Sequence, residues 1–136
     1  AVTLAYLLLY YLFMLHGLVV KMKVAKRCKE RGEPFLRYTG HYPEILATDR
    51  VQLNTLEHMP PFLVLMWTQA FVVTPQSAAG LGTVYVVIRA TYPLFLGRSL
   101  TRSFPKRVFL NTFSGYAVLT VFMVWQFITL LKGVNG

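Results

Sequence analysis

Apolar residues fill four long stretches of the chain, and polar segments separate them. Val2–Val20 carries no charged residue, with only His16 able to become one. Val51–Val73 is interrupted by Glu57, His58 and the pair Pro60-Pro61. Ala78–Gly97 contains Arg89, and Val108–Leu131 has no charge at all. A bilayer core takes about 20 predominantly apolar residues per helix. The pattern therefore predicts an all-α integral membrane protein. It would be a single unit over 1–136, a bundle of four transmembrane helices at about 2–27, 50–73, 78–97 and 106–131. The short "VTPQSAAG" connection predicts that helices two and three are antiparallel neighbours. "GEPFLRYTGHYPEILATD" has two prolines and two glycines and is too short to be a domain.

Composition supports a membrane reading. The chain is 55% hydrophobic and 14% charged, against about 45–50% and about 25% for a soluble domain. Charge then orients it. Of 14 Lys and Arg, eight lie in Lys21–Arg50 and four in Arg98–Arg107. With four spans both clusters fall on one side, which the positive-inside rule makes cytoplasmic. The net charge of +9 is thus a topology signal with lipid-headgroup contact, and no nucleic acid partner is expected. The lone Cys28 excludes an intramolecular disulfide and any Cys-based metal site.

The polar residues inside the second stretch need a reason, because ionisable groups at membrane depth are expensive and usually functional. At about 100° per residue, Arg50, Asn54, Glu57 and Pro61 share one helical stripe. Tyr85, Arg89, Tyr92 and Leu96 share another. Glu57 and Arg89 fall at matching depth, roughly 10 and 12 Å below the basic face, and are expected to pair, within or between subunits. A buried ion pair that only fixes helix register is the plain alternative. Asn54 on the same stripe and the surplus of nearby arginines favour a site for an anionic ligand with carboxylates. His58 lies about 100° round from Glu57 and makes no metal site by itself, since HxxE, HExxH and CxxC arrangements are absent. Pro60-Pro61 should kink the helix and free carbonyls beside the pocket.

The run "RVQLNTLEHMPPFL", Arg50–Leu63, resembles the helix-two signature of the membrane-associated proteins in eicosanoid and glutathione metabolism, the MAPEG family. Its "NTLE" followed by "PPFL" is most similar to the microsomal glutathione transferase type-three subgroup. "GLGTVYVVIRATY" resembles the matching third helix with its Arg-x-x-Tyr, and "FPKRVFL" the start of the fourth. The resemblance implies a homotrimer with glutathione as co-substrate between subunits, near the cytoplasmic face. Arg50, Asn54, Glu57, His58, Arg89 and Tyr92 would bind glutathione. A hydrophobic, lipid-like or xenobiotic acceptor would enter from the bilayer. It also implies that an arginine at the base of helix four activates the thiol: Arg107 is the first match and Arg102 the second. The membrane would be the endoplasmic reticulum in a eukaryote and the inner membrane in a bacterium. Two departures stand out: Leu96 replaces a second helix-three tyrosine, and the loop after helix one is longer than in the better-known enzymes.

The chemistry is consistent with these roles. The nucleophile is a thiolate, and a free thiol has a pKa of about 8.5. A guanidinium, with a pKa above about 12, cannot take the proton but can stabilise the anion where water is scarce. The expected activity is that of a glutathione transferase or peroxidase on hydrophobic electrophiles or lipid hydroperoxides. The alternatives are a non-catalytic lipid-binding scaffold of the same family, a glutathione-dependent isomerase, and a small transporter whose polar stripe lines a pathway.

Overall fold

Helix starts and stops follow local chemistry. In the computed structural model, residues 1–98 and 106–134 are described. Helix α1 spans Val2–Glu30, α2 Pro43–Val72, α3 Pro75–Leu96 and α4 Arg107–Val134. Pro43 and Pro75 occupy the first turns of α2 and α3, where a missing N–H costs nothing and the fixed φ suits the helix. Thr74 caps α3 by accepting from the Ser77 N–H at 3.1 Å. Gly97 ends α3 with φ 87°, a left-handed conformation that side chains disfavour.

Helix α2 begins seven residues before the sequence-based start near Arg50. Pro43 opens the helix, and Glu44 in its first turn suits the positive end of the dipole. The helix stays continuous through Pro60 and Pro61. Neither proline can donate, so the carbonyls of Leu56 and Glu57 have no helical N–H partner.

Length and apolarity mark three helices able to cross a membrane, α1, α3 and α4, rather than four. Arg50, Gln52, Asn54, Glu57 and His58 make α2 too polar to qualify by composition. Helices α2 and α3 each touch the other three, whereas α1 and α4 do not meet among the described residues. Between them Tyr6, Phe62, Met66, Tyr85, Leu119 and Phe122 form the main apolar core. The Phe62 and Tyr85 rings stack at 4.3 Å. The Tyr6 hydroxyl donates to the Thr55 carbonyl at 2.7 Å, tying α1 to α2 in the turn before the two prolines.

At the basic end, Lys21 pairs with Asp49 at 2.7 Å and Arg27 with Glu44 at 2.9 Å, joining α1 to the first turns of α2. The hydrogen bond from Arg27 holds the Glu44 carboxyl below its ordinary range. Outward-facing Leu4, Leu8, Phe71, Leu94 and Phe113 are largely exposed, as expected of side chains that contact hydrocarbon.

Candidate functional site

The α2 stripe forms one wall of a cavity of about 400 Å³. Arg50, Asn54, Glu57, His58 and Pro61 line it, with Tyr92 from α3 and Val108, Thr112 and Tyr116 from α4. The 3.6-residue repeat brings Arg50, Asn54, Glu57 and Pro61 to one face. The α3 stripe is wholly buried: Tyr85, Arg89, Tyr92 and Leu96 are at most 2% exposed.

Arg89 stands behind the Asn54 part of the wall, with no exposed surface. Its Nη1 donates to Asn54 Oδ1 at 2.7 Å, and its Nε to the Tyr85 hydroxyl at 3.3 Å. The guanidinium also lies over the Tyr85 ring, 5.3 Å from the centroid. Tyr85 passes the network on, its hydroxyl 3.1 Å from His58 Nδ1. His58 in turn packs against the Tyr116 ring with centroids 5.1 Å apart. Asn54, Arg89, Tyr85, His58 and Tyr116 thus form one chain of contacts across three helices.

The ion pair expected between Glu57 and Arg89 does not form within the subunit. The antiparallel register decides contact: Arg89 lies opposite Asn54 and Tyr85 opposite His58, which leaves Glu57 nearly a turn away along α2. Asn54 is the stripe residue turned towards Arg89, while Glu57 is exposed at the cavity rim. The described residues therefore supply no carboxylate to Arg89. Its Nη2 is buried with no hydrogen-bond partner, as is Nε of Arg50. A buried charge normally demands pairing, because its desolvation costs several kcal/mol. The wall thus carries the Arg50 guanidinium and one exposed carboxylate, with the uncancelled charge of Arg89 directly behind it, a set that matches a zwitterionic ligand with more than one anionic group.

Arg107 is the first residue of α4, exposed and next to the lining residue Val108, but does not itself line the cavity. Arg102 lies outside the described residues. Helix α4 contributes more than the sequence reading assigned to it. Val108, Asn111, Gly115, Leu119, Phe122 and Gln126 are all buried and recur at three- and four-residue spacing. Asn111, Gly115 and Gln126 on that stripe, in a helix with no charge between its ends, were the available signal. Gly115 lets α4 approach Arg89: a Cβ there would lie 3.2 Å from Nη2. Asn111 Nδ2 donates to the Ile88 carbonyl at 2.7 Å and to Thr91 Oγ1 at 2.9 Å, fixing α4 against the α3 turn that precedes Pro93.

No group of three or more His, Cys, Asp or Glu among the described residues is placed to hold a metal ion. Compared with known proteins, the chain matches the MAPEG family model over residues 1–128. No curated protein matches it.

Proposed function

The chain belongs to the MAPEG family, and from that premise we propose that it is a membrane-bound glutathione transferase or peroxidase of the type-three kind, working as a homotrimer. The family comprises glutathione-dependent transferases, peroxidases and isomerases. Its membership and the three apolar helices make the protein an integral membrane protein. The observation that carries the reading is Arg89, a fully buried guanidinium with no carboxylate and one orphan nitrogen, directly behind a polar cavity wall. Arg50, half-buried at the rim, also has an unpartnered nitrogen.

Glutathione suits this donor set. It has one carboxylate for Arg50, a second to sit in the field of Arg89 and an ammonium group for Glu57, and a cavity of about 400 Å³ lies within the usual range for small ligands. Asn54, His58 and Tyr92 complete the wall. Glu57 at membrane depth, exposed on an isolated subunit, would face lipid unless covered, so a neighbouring subunit across this rim accounts for it. The same cover excludes water and strengthens the field of the cations. Helix α2, flanked by α1, α3 and α4, is the fourth span, its polar stripe turned to the site rather than to lipid.

When bound, glutathione supplies the thiol that becomes the nucleophile. A guanidinium stays protonated at neutral pH, so it accepts no proton; it lowers the energy of the thiolate instead. We assign that role to Arg107, which has no hydrogen-bond or ion-pair partner among the described residues. Hydrophobic electrophiles or lipid hydroperoxides would reach the thiolate from the bilayer. The basic loops would face the cytoplasm.

The test is purified protein with glutathione and three acceptors: a chlorodinitrobenzene-type electrophile, a lipid hydroperoxide and an epoxide-bearing fatty acid. Turnover of the first two with glutathione binding is expected, and neither turnover nor binding would refute the reading. In Arg107→Ala, thiolate absorbance should fall far more than glutathione affinity. The same loss in Arg102→Ala alone would transfer the role to that arginine.

A further inference from the structure

A second, larger cavity of about 740 Å³ lies on the other side of the bundle, between α1 and α3 with α2 as its floor. Helix α4 takes no part in it, so it is separate from the site described above. Along α1 the lining residues Phe13, His16, Val20, Lys23, Val24 and Arg27 recur at three- and four-residue spacing. They cover about 21 Å of helix. The lining changes character over that length. Phe13, Val20, Val51 and Leu94 line the apolar part, while Lys23, Arg27 and Arg98 gather at the basic end. The α3 helix stops at Leu96, and the left-handed turn at Gly97 leads directly to Arg98.

The charges at this end do not balance. Among the described residues Glu44 is the only carboxylate lining the cavity, and Arg27 already holds it at 2.9 Å. Lys23 and Arg98 have no hydrogen-bonded or ion-paired partner among the described residues. Thr48 spends its hydroxyl on the Ile45 carbonyl at 2.9 Å. Two uncommitted cations thus stand at the membrane boundary above an apolar groove whose α1 and α3 walls are both apolar enough to span the bilayer. A soluble anion has no use for that apolar length, and a neutral lipid has none for the cations. Basic pockets between transmembrane helices on the positively charged side favour anionic headgroups.

We propose that the α1–α3 groove holds one anionic phospholipid per subunit, its headgroup phosphate between Lys23 and Arg98 and an acyl chain along Phe13, Val20 and Leu94. The experiment is native mass spectrometry of the intact protein released from nanodiscs of phosphatidylcholine doped with phosphatidic acid of the same chains. Affinity is read by titrating each lipid, or inorganic phosphate, and following thermal protection. One phosphatidic acid per subunit should be retained. Removing a cation should weaken binding about fivefold, so Lys23→Gln loses about fivefold and Lys23→Ala/Arg98→Ala about twenty-five-fold. Lys26→Ala/Lys29→Ala, on the same basic end but outside the groove, should change affinity less than twofold. Equal binding of phosphatidylcholine would overturn the proposal, as would equal protection by inorganic phosphate. So would an equal loss in the Lys26/Lys29 variant, or no retained lipid, the result expected if a neighbouring subunit fills the groove. None of these readouts depends on glutathione turnover.

Discussion

Replacing Asn54 by Asp exchanges one amide nitrogen for a carboxylate oxygen at the acceptor of Arg89 and leaves shape unchanged. In the native site Arg89 Nη1 meets a neutral oxygen at 2.7 Å, so the guanidinium charge is not cancelled. The new carboxylate would cancel it. A ligand carboxylate about 6 Å from the guanidinium is stabilised by about 3 kcal/mol at an effective dielectric constant of about 20. Losing that attraction weakens binding on the order of a hundredfold. Asn54→Ala is the companion variant: it removes the same amide but leaves the cation uncancelled. It forfeits a hydrogen bond to a charged group, about 1.5–3 kcal/mol of stability, with a much smaller effect on ligand affinity. Glutathione binding by equilibrium dialysis and thermal midpoints without ligand would be measured for both. Asn54→Asp should melt above Asn54→Ala yet bind far more weakly. If the two bound glutathione equally well, the uncancelled charge of Arg89 would not be what attracts the ligand, and the reasoning would fail.

Other perturbations probe the surrounding structure. Gly115→Ala should lower stability by about 1–3 kcal/mol through overpacking, since its Cβ would lie 3.2 Å from Arg89 Nη2; thermal unfolding reads it, and an unchanged midpoint would show that the guanidinium yields freely. Tyr6→Phe deletes the 2.7 Å bond to the Thr55 carbonyl and should cost about 0.5–1.5 kcal/mol, measured by unfolding in mixed micelles. The Arg27–Glu44 pair depresses the folded-state value of Glu44. Its stabilising contribution is therefore complete above the ordinary Glu value of about 4.3 and fades as pH falls through the lower folded value. Glu44→Gln should abolish that part of the acid dependence, and an unaltered melting profile between the two values would count against it.

The helices were legible because long apolar stretches and the residues that break them are local facts. The grouping of Arg50, Asn54, Glu57 and Pro61 was legible too, since helical periodicity alone brings them to one face. The partner of Arg89 was not. Depth counted from the helix ends fixes the antiparallel register only to within about a turn, and packing set Asn54 rather than Glu57 opposite the guanidinium. The first turns of α2 are not marked by apolar length, because "PEILATD" starts a helix by its proline and acidic first turn instead. Helix α4 carries no charge beyond its ends to mark an inner face, so Asn111, Gly115 and Tyr116 stayed inconspicuous until their neighbours were known.

The polarity of α2 has a consequence for biosynthesis. A charged residue near the centre of an isolated helix opposes membrane insertion by about 2.5–3.5 kcal/mol, and Glu57 stands at the middle of α2. As the proposed fourth span, such a segment would not partition into the bilayer on its own hydrophobicity; it would stay there in company. Its companions are α1, made before it, and α3 and α4, made after it, all of which it touches. A nascent chain released after Val73 would therefore hold α2 in the membrane poorly, and extension through α3 would rescue it. Engineered glycosylation sites flanking α2, read at successive chain lengths, would time the moment at which the bundle closes around its own polar helix.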